Sequence, residues 1–254
     1  HSKFKLPTFS NSEFPKFPTI ENKAKIFINS STLIESLKKI TPAIDNNNPK
    51  FELNGTLIDI KENNINFVAT DTRRLAVVNI QNQNNSPLSI IIPKKAIIEI
   101  QKLFLSDLEL YYDDTNLIIK SNEQTFFTKL INGKFPEYSR IIPKEIKNNL
   151  TLPKALIIES IKQITTISMD VKITFENNSI IFESLSDDNI EAKTEINVHT
   201  PFQTPFVIAI NSKYLLDFLN NVNNSEFFIG LNESNLPFVL QDDNFKTVVM
   251  PIVI

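Results

Sequence analysis

The chain has 254 residues, of which 41% are hydrophobic and 22% charged, and its formal net charge is −3. These values indicate a globular protein with one or two cored domains and exclude a disordered chain. With no Cys, two His and three Gly, it cannot form a disulfide scaffold, a thiolate zinc site or a glycine-rich phosphate loop, and a His-based triad lacks partners.

The start of the chain predicts an extended segment. Residues 3–23 contain three Pro and isolated aromatic residues without helical periodicity, which is typical of a linker. His1 and Ser2 are interpreted as a tag remnant. No apolar run reaches the roughly 18 residues of a membrane span and no export signal is recognisable, so we expect a cytoplasmic protein without a membrane segment.

From residue 25 onward, short β-rich runs alternate with turns of Asn, Asp and Ser. In the first half of the chain, the predicted strands are 25–28, 57–60, 66–70, 75–80, 88–92, 108–112, 116–120 and 126–131.

Four helix starts share one pattern: a strand end, then Asn or Pro, three residues, two aliphatic residues and an acid. The pattern begins at Asn29, Pro93, Pro153 and Asn211. Asn is a good N-cap and Pro a good first helical residue, so helices are predicted near 30–40, 93–103, 153–164 and 211–221. The copies predict an internal repeat of about 60 residues, with two units in each of two domains and a break near 145–150.

These four helical windows carry eight Lys against four acids, although the whole chain is acidic. Basic helices on an acidic protein are what a groove for a polyanion requires. The alternative is that these Lys residues only keep solvated helix faces soluble.

Arginine is rare: the chain has three Arg, at positions 73, 74 and 140, against 23 Lys and 31 Asn. AT-rich codon usage explains Lys as the ordinary cation. The planar guanidinium is retained where Lys cannot replace it, such as the rim of a recognition pocket. The alternative explanation is that these three Arg residues were retained by chance.

Several segments resemble the bacterial DNA polymerase III β subunit, the sliding clamp family. They follow the family's order and approximate spacing over essentially the whole chain. The segments are LPTF and EFPKFP in the linker, LNG (53–55), ATDTRRLAV (69–77), IIPKKAIIEI (91–100), LINGKFPEYSRIIPKE (130–145) and VVMPIVI (248–254).

The resemblance implies an α+β fold of repeated βαβββ half-domains, with two helices on the inner face of each domain. It implies a linker at 1–23, a middle domain at 24–145 and a C-terminal domain at 146–254, without the family's N-terminal domain. Full-length clamps form a head-to-tail homodimeric ring around duplex DNA, whose sequence they do not read. We expect this chain alone to be monomeric and to hold DNA weakly or not at all.

The resemblance also implies a groove between the two domains for short peptides of polymerases, the clamp loader and repair proteins. Its apolar pocket comprises Leu53, Thr70, Leu75, Pro136, Ile141, Val248 and Met250. Around the pocket the resemblance places Thr72, Arg73, Arg74, Arg140, Tyr214, Pro237, Pro251, Ile252 and Val253.

DNA-facing positions implied by the resemblance are Lys50, Phe51, Lys94 and Lys95, and helix charge adds Lys102 and Lys162. Two departures concern the groove. Thr72 and Arg73 stand where Gly and His are common, and Ile252 and Val253 stand where many relatives have Met and a basic residue. We expect these changes to alter the peptide preference.

Two other functions remain open on the residues. An enzyme would have to use the carboxylates Asp71, Asp113, Asp114, Asp187 and Asp188, which lie in turn-like segments typical of solvated loops. A peptide-binding module without a role on DNA is the stronger alternative. We expect no catalytic site, metal or cofactor.

Overall fold

The computed structural model describes residues 1–14, 16–84, 87–104, 108–185 and 191–254. Within them, four successive βαβββ units follow one another, which confirms the predicted repeat and fold class. The first unit contains β1 (Ala24–Ile26), α1 (Ser30–Ile40), β2 (Gly55–Ile60), β3 (Asn64–Thr70) and β4 (Arg74–Gln81). The second contains β5 (Leu88–Pro93), α2 (Lys94–Leu103), β6 (Glu109–Tyr112), β7 (Asn116–Lys120) and β8 (Thr125–Lys129).

The second half of the chain repeats this order. The third unit contains β9 (Asn148–Pro153), α3 (Lys154–Ile164), β10 (Asp170–Phe175), β11 (Ile180–Ser184) and β12 (Lys193–Ile196). The fourth contains β13 (Phe206–Asn211), α4 (Ser212–Leu219), β14 (Glu226–Leu231), β15 (Phe238–Asp242) and β16 (Phe245–Val249). In the described part of the chain, no helix is long and apolar enough to cross a membrane.

Helices α2, α3 and α4 begin directly after a strand, as the pattern predicts, whereas residues 27–29 separate α1 from β1. Pro plays a different part from the one expected. The side chains of Asn29 and Asn211 cap α1 and α4 by accepting backbone N–H groups at 3.2 Å. Pro93 and Pro153 occupy the same N-cap position, so the prediction that they are the first helical residues was wrong by one residue. Each Pro ends a strand in an extended conformation, and the following Lys starts the helix.

Within each half of the chain, neighbouring units exchange their first strands. β5 joins the last three strands of the first unit, and β1 joins the last three strands of the second. β9 and β13 are exchanged in the same way between the third and fourth units. Because each sheet takes strands from two units, neither unit of a pair can complete its sheets without the other.

One strand pair joins the two halves. β4 of the first unit runs antiparallel to β16 of the fourth, with Leu75 opposite Val248 and Arg74 opposite Val249. This pairing creates a continuous eight-stranded sheet in the order β5-β2-β3-β4-β16-β15-β14-β9.

The two faces of this sheet bury different groups of residues. Side chains alternate between faces along a strand, so Ala76 and Val78 of β4 join the main core whereas Leu75 and Val77 point the opposite way. That opposite face and the residues packed on it form a second group, the junction cluster: Leu53, Leu57, Val68, Leu75, Val77, Ile91, Phe135, Tyr138, Val239 and Val248. The segment 131–146, here called the connector, covers it with Ile131, Phe135, Tyr138, Ile142 and Ile146.

The close packing of β2 against β5 can be tested at Gly55. A Cβ at this position would lie 2.5 Å from the carbonyl oxygen of Ile92, a backbone atom in the paired strand. We expect Gly55→Ala to lower the free energy of unfolding by about 1–3 kcal/mol, as overpacking does. Chemical denaturation would measure the loss.

Gly230→Ala is the matched control. Gly230 is also a buried glycine in a paired strand, but an added Cβ would meet the ends of the Ile146 side chain, which can rotate away. We expect a smaller loss, and a larger loss for Gly230→Ala than for Gly55→Ala would contradict this account of the packing.

Candidate functional site

The floor of the predicted groove lies where β4 meets β16. Leu53, Leu75 and Val248 are all buried in the junction cluster. Immediately after β16, the backbone N–H of Met250 donates to the Arg73 carbonyl at 2.9 Å. The strand pairing thus brings residues that lie about 175 positions apart in the sequence into one surface.

Apolar side chains at the edge of this surface remain accessible to solvent. Ile141 is 41% exposed, Met250 38% and Val253 82%. Pro136, Pro237 and Ile252 are half-buried and Pro251 is buried. Leu236, next to Pro237, is 42% exposed and was not among the predicted residues. The residues predicted for the pocket thus combine buried and partly exposed apolar side chains, a lining that would suit an aliphatic or aromatic anchor.

The turn between β3 and β4 carries Thr72 and Arg73, two residues predicted to surround the pocket. Thr72 has a positive φ of 74°, which is uncommon for a β-branched residue. The Thr70 hydroxyl accepts from the Thr72 N–H at 3.2 Å and donates to the Arg74 carbonyl at 2.6 Å. One carboxylate oxygen of Asp71 accepts from the N–H groups of Arg73 and Arg74, each at 3.0 Å.

The three arginines differ in their surroundings. Arg73 and Arg140 are exposed to solvent, whereas Arg74 is 5% exposed. The Arg74 guanidinium donates to Asp71 at 3.0 Å, to Asp217 at 2.7 Å and to the Pro42 carbonyl, and it lies 4.6 Å from the ring centre of Tyr214. Its donors are therefore engaged within the protein, and sequence reasoning had missed Asp217, the partner on α4.

Tyr214 lies at the same junction. Burial raises the pKa of its hydroxyl, and the negative charge of Asp71 adds to the effect. The pKa of Tyr138, a connector residue, is raised as well, first by burial and then by the hydrogen bond that its hydroxyl donates to Asp59 at 2.6 Å. The Tyr138 hydroxyl is thus a hydrogen-bond donor, whereas the Tyr214 ring lies against the Arg74 guanidinium.

The predicted DNA-facing residues fall into two kinds. Lys50, Phe51, Lys95, Lys102 and Lys162 are exposed, and the Lys102 ammonium lies 2.9 Å from Glu99. Lys162 lines an open groove of about 930 Å³ beside α3.

Lys94 differs from these residues because it is half-buried. Its ammonium donates to the Ile44 carbonyl and to Asn46, each at 2.7 Å. Burial, followed by the nearby charge of Lys213, lowers the pKa of Lys94. This lysine therefore holds the loop after α1 in place.

Of the carboxylates weighed for an enzyme, Asp71 and Asp113 have structural partners, and Asp114 is exposed. Asp113 accepts hydrogen bonds from Lys23, Thr115 and Asn116, and the bond from Lys23 is the main cause of its lowered pKa. Asp71 holds the groove turn. Asp187 and Asp188 lie outside the described residues. Among the side chains that are described, no three His, Asp or Glu converge as a metal site would require.

Comparisons with known proteins agree with the architecture. Residues 27–137 match the family described as DNA polymerase III beta subunit, central domain, and residues 139–253 match its C-terminal domain. The Beta sliding clamp of Helicobacter pylori strain 26695 is 36% identical over 99% of this chain and 72% of its own length. That of Buchnera aphidicola from Rhopalosiphum padi is 28% identical over 96% of this chain and 69% of its own.

A solved structure extends the comparison to three dimensions. The Helicobacter pylori beta clamp bound to a DNA ligase peptide superimposes with a TM-score of 0.91 at 36% identity, covering all of this chain and 72% of that one. Because two family matches together span most of the sequence, and a relative above 30% identity is covered over more than two thirds of its length, the chain belongs to the DNA polymerase III β subunit family, the sliding clamps.

Proposed function

We propose that this protein is a processivity factor that tethers replication and repair proteins to duplex DNA. The observation that supports the proposal is the β4–β16 pair, which places Leu75 of the first unit opposite Val248 of the fourth and so joins residues proposed for one groove. We propose residues 24–145 as the middle domain and 146–254 as the C-terminal domain. The protein is proposed to have no catalytic site of its own.

The groove is proposed to bind short peptides of polymerases, the clamp loader and repair proteins. The Helicobacter pylori clamp, 36% identical, is seen bound to a DNA ligase peptide, which supports a peptide ligand. Met250 and Ile141 supply exposed apolar surface at the edge of the pocket. Arg73 and Arg140 are exposed cations that can hold peptide carbonyls or an acidic residue.

The DNA role is proposed for a head-to-tail ring of two copies. Exposed lysines on the helices, with Lys50 and Phe51 beside them, would attract phosphates without reading bases. Diffuse attraction of this kind allows sliding because it has no preferred stopping point. A peptide-binding module without a DNA role is the second candidate, and the salt dependence of DNA binding separates the two.

The first prediction concerns the pocket. The probe is a labelled peptide in which a polar residue is followed by Leu and Phe. We expect Met250→Glu to weaken its binding by at least about tenfold, because a buried anchor contributes roughly 1.5–3 kcal/mol. Fluorescence anisotropy would measure the affinity.

Leu103→Glu is its control. Leu103 has the same 38% exposure as Met250 but lies at the end of α2. We expect the Leu103→Glu variant to bind the peptide with the affinity of the unchanged protein. Equal affinity in both variants would remove Met250 from the site.

The second prediction concerns DNA. At low salt we expect the protein to bind a short duplex weakly and without sequence preference. Lys95→Gln and Lys162→Gln should each reduce the slope of log affinity against log salt by about one. Lys193→Gln, an exposed lysine on β12, is the control. A double Lys95→Gln and Lys162→Gln variant with the original slope would favour the module without a DNA role.

A further inference from the structure

The turn beside the groove holds an unfavourable backbone conformation. Thr72 lies in the left-handed region at φ 74°, where a β-branched side chain is strained. Strained residues persist only when their surroundings hold them firmly. Here the Thr70 hydroxyl and the Asp71 carboxylate together accept the N–H groups of Thr72, Arg73 and Arg74. These bonds maintain the shape of the groove wall.

The Asp71 carboxylate is itself held by a buried cation. Its second oxygen accepts from Nε of Arg74 at 3.0 Å. At 5% exposure the Arg74 guanidinium needs fixed partners, and its other donors are directed to Asp217 and to the Pro42 carbonyl. Asp217 lies on α4 in the fourth unit. The turn of the first unit is therefore tied to a helix on the other side of the junction.

Asp217 is outside the predicted groove and is connected to it through Arg74. Its carboxylate lies 2.7 Å from Nη1 of Arg74. The carbonyl of Arg73, in the same turn, accepts the backbone N–H of Met250 at 2.9 Å. A change in the turn would thus displace both the wall carrying Arg73 and the wall carrying Met250.

We infer that Asp217 is a positioning residue for peptide binding, acting through Arg74 and Asp71 to keep the Thr72 turn in its left-handed conformation. This inference rests on the proposed function of the groove. Asp217 need not touch the peptide. Its contribution is to raise the fraction of molecules whose groove is already in the binding conformation.

The test is Asp217→Asn, which keeps the shape of the side chain and removes its charge. We expect the affinity for the labelled polar-Leu-Phe peptide to fall about tenfold, since apparent affinity scales with the competent fraction. A peptide with both apolar anchors replaced by Ala gives the background signal.

Rescue by Thr72→Gly separates positioning from general stability. Glycine adopts positive φ without strain, so the turn no longer needs the Arg74 contacts to keep its shape. We expect Asp217→Asn to change affinity less than about twofold in the Thr72→Gly background. Equal losses in the two backgrounds would overturn the inference.

Glu35→Gln is the matched control for loosening of the junction. Glu35 on α1 accepts a hydrogen bond at 2.9 Å from Asn223, which follows α4, so it also links the two halves without touching the turn. We expect its peptide affinity to stay within about twofold of the unchanged protein, as for distant sites that share no partner. A loss as large as that of Asp217→Asn would assign the effect to the junction as a whole.

Hydrogen exchange of the amides at 70–74, without peptide, separates this inference from the proposed function. We expect Asp217→Asn to accelerate exchange there and Glu35→Gln to leave it unchanged. If the unchanged protein binds no peptide, the proposed function fails, and exchange alone decides whether Asp217 holds the Thr72 turn. Unchanged exchange in Asp217→Asn would then reject it.

Discussion

The antiparallel pairing of β4 with β16 is the interaction on which the site depends. It converts two four-stranded sheets into one of eight strands and places Leu75 opposite Val248. Because side chains alternate along a strand, the same pairing builds the main core on one face and the junction cluster on the other. A shift by one residue would turn Leu75 into the helix-covered face and remove it from the junction cluster, where the groove floor is proposed.

The buried guanidinium of Arg74 adds side-chain contacts across this junction. Backbone pairing aligns the strands, whereas Arg74 holds together parts of three elements: the β3–β4 turn, the segment after α1 and helix α4. Arginine suits this position because its planar group can donate in several fixed directions and lie against the ring of Tyr214. A lysine could not reproduce that set of contacts. At Arg74, one of the three Arg positions, the structure therefore explains why Arg is present in a chain that otherwise uses Lys.

The lysines show how similar sequence signals can have different roles. Lys94 and Lys95 are adjacent at the start of α2, but Lys94 holds the loop after α1 through Ile44 and Asn46 whereas Lys95 faces solvent. An exposed ammonium keeps its counterions available for exchange with phosphate. A half-buried one has already given its donors to the protein. Counting charges on a helix cannot distinguish them.

Local sequence determined the repeating elements and their order. The strand, cap and aliphatic pattern at Asn29, Pro93, Pro153 and Asn211 predicted four helix starts, because capping and periodicity act between near neighbours. The pattern misplaced the prolines by one residue, since a Pro that ends a strand can also occupy the N-cap. The motifs 69–77 and 248–254 identified the family and the residues proposed for the groove.

Only the tertiary structure decided which residues meet and which donors remain free. The exchange of β1 with β5 and the pairing of β4 with β16 are long-range choices that no local pattern encodes. The burial of Arg74 and its contact with Asp217, 143 positions away, follow from those choices. Sequence thus specified the chemical groups of the site, and the fold determined their roles, because burial and hydrogen-bond partners depend on contacts between distant segments.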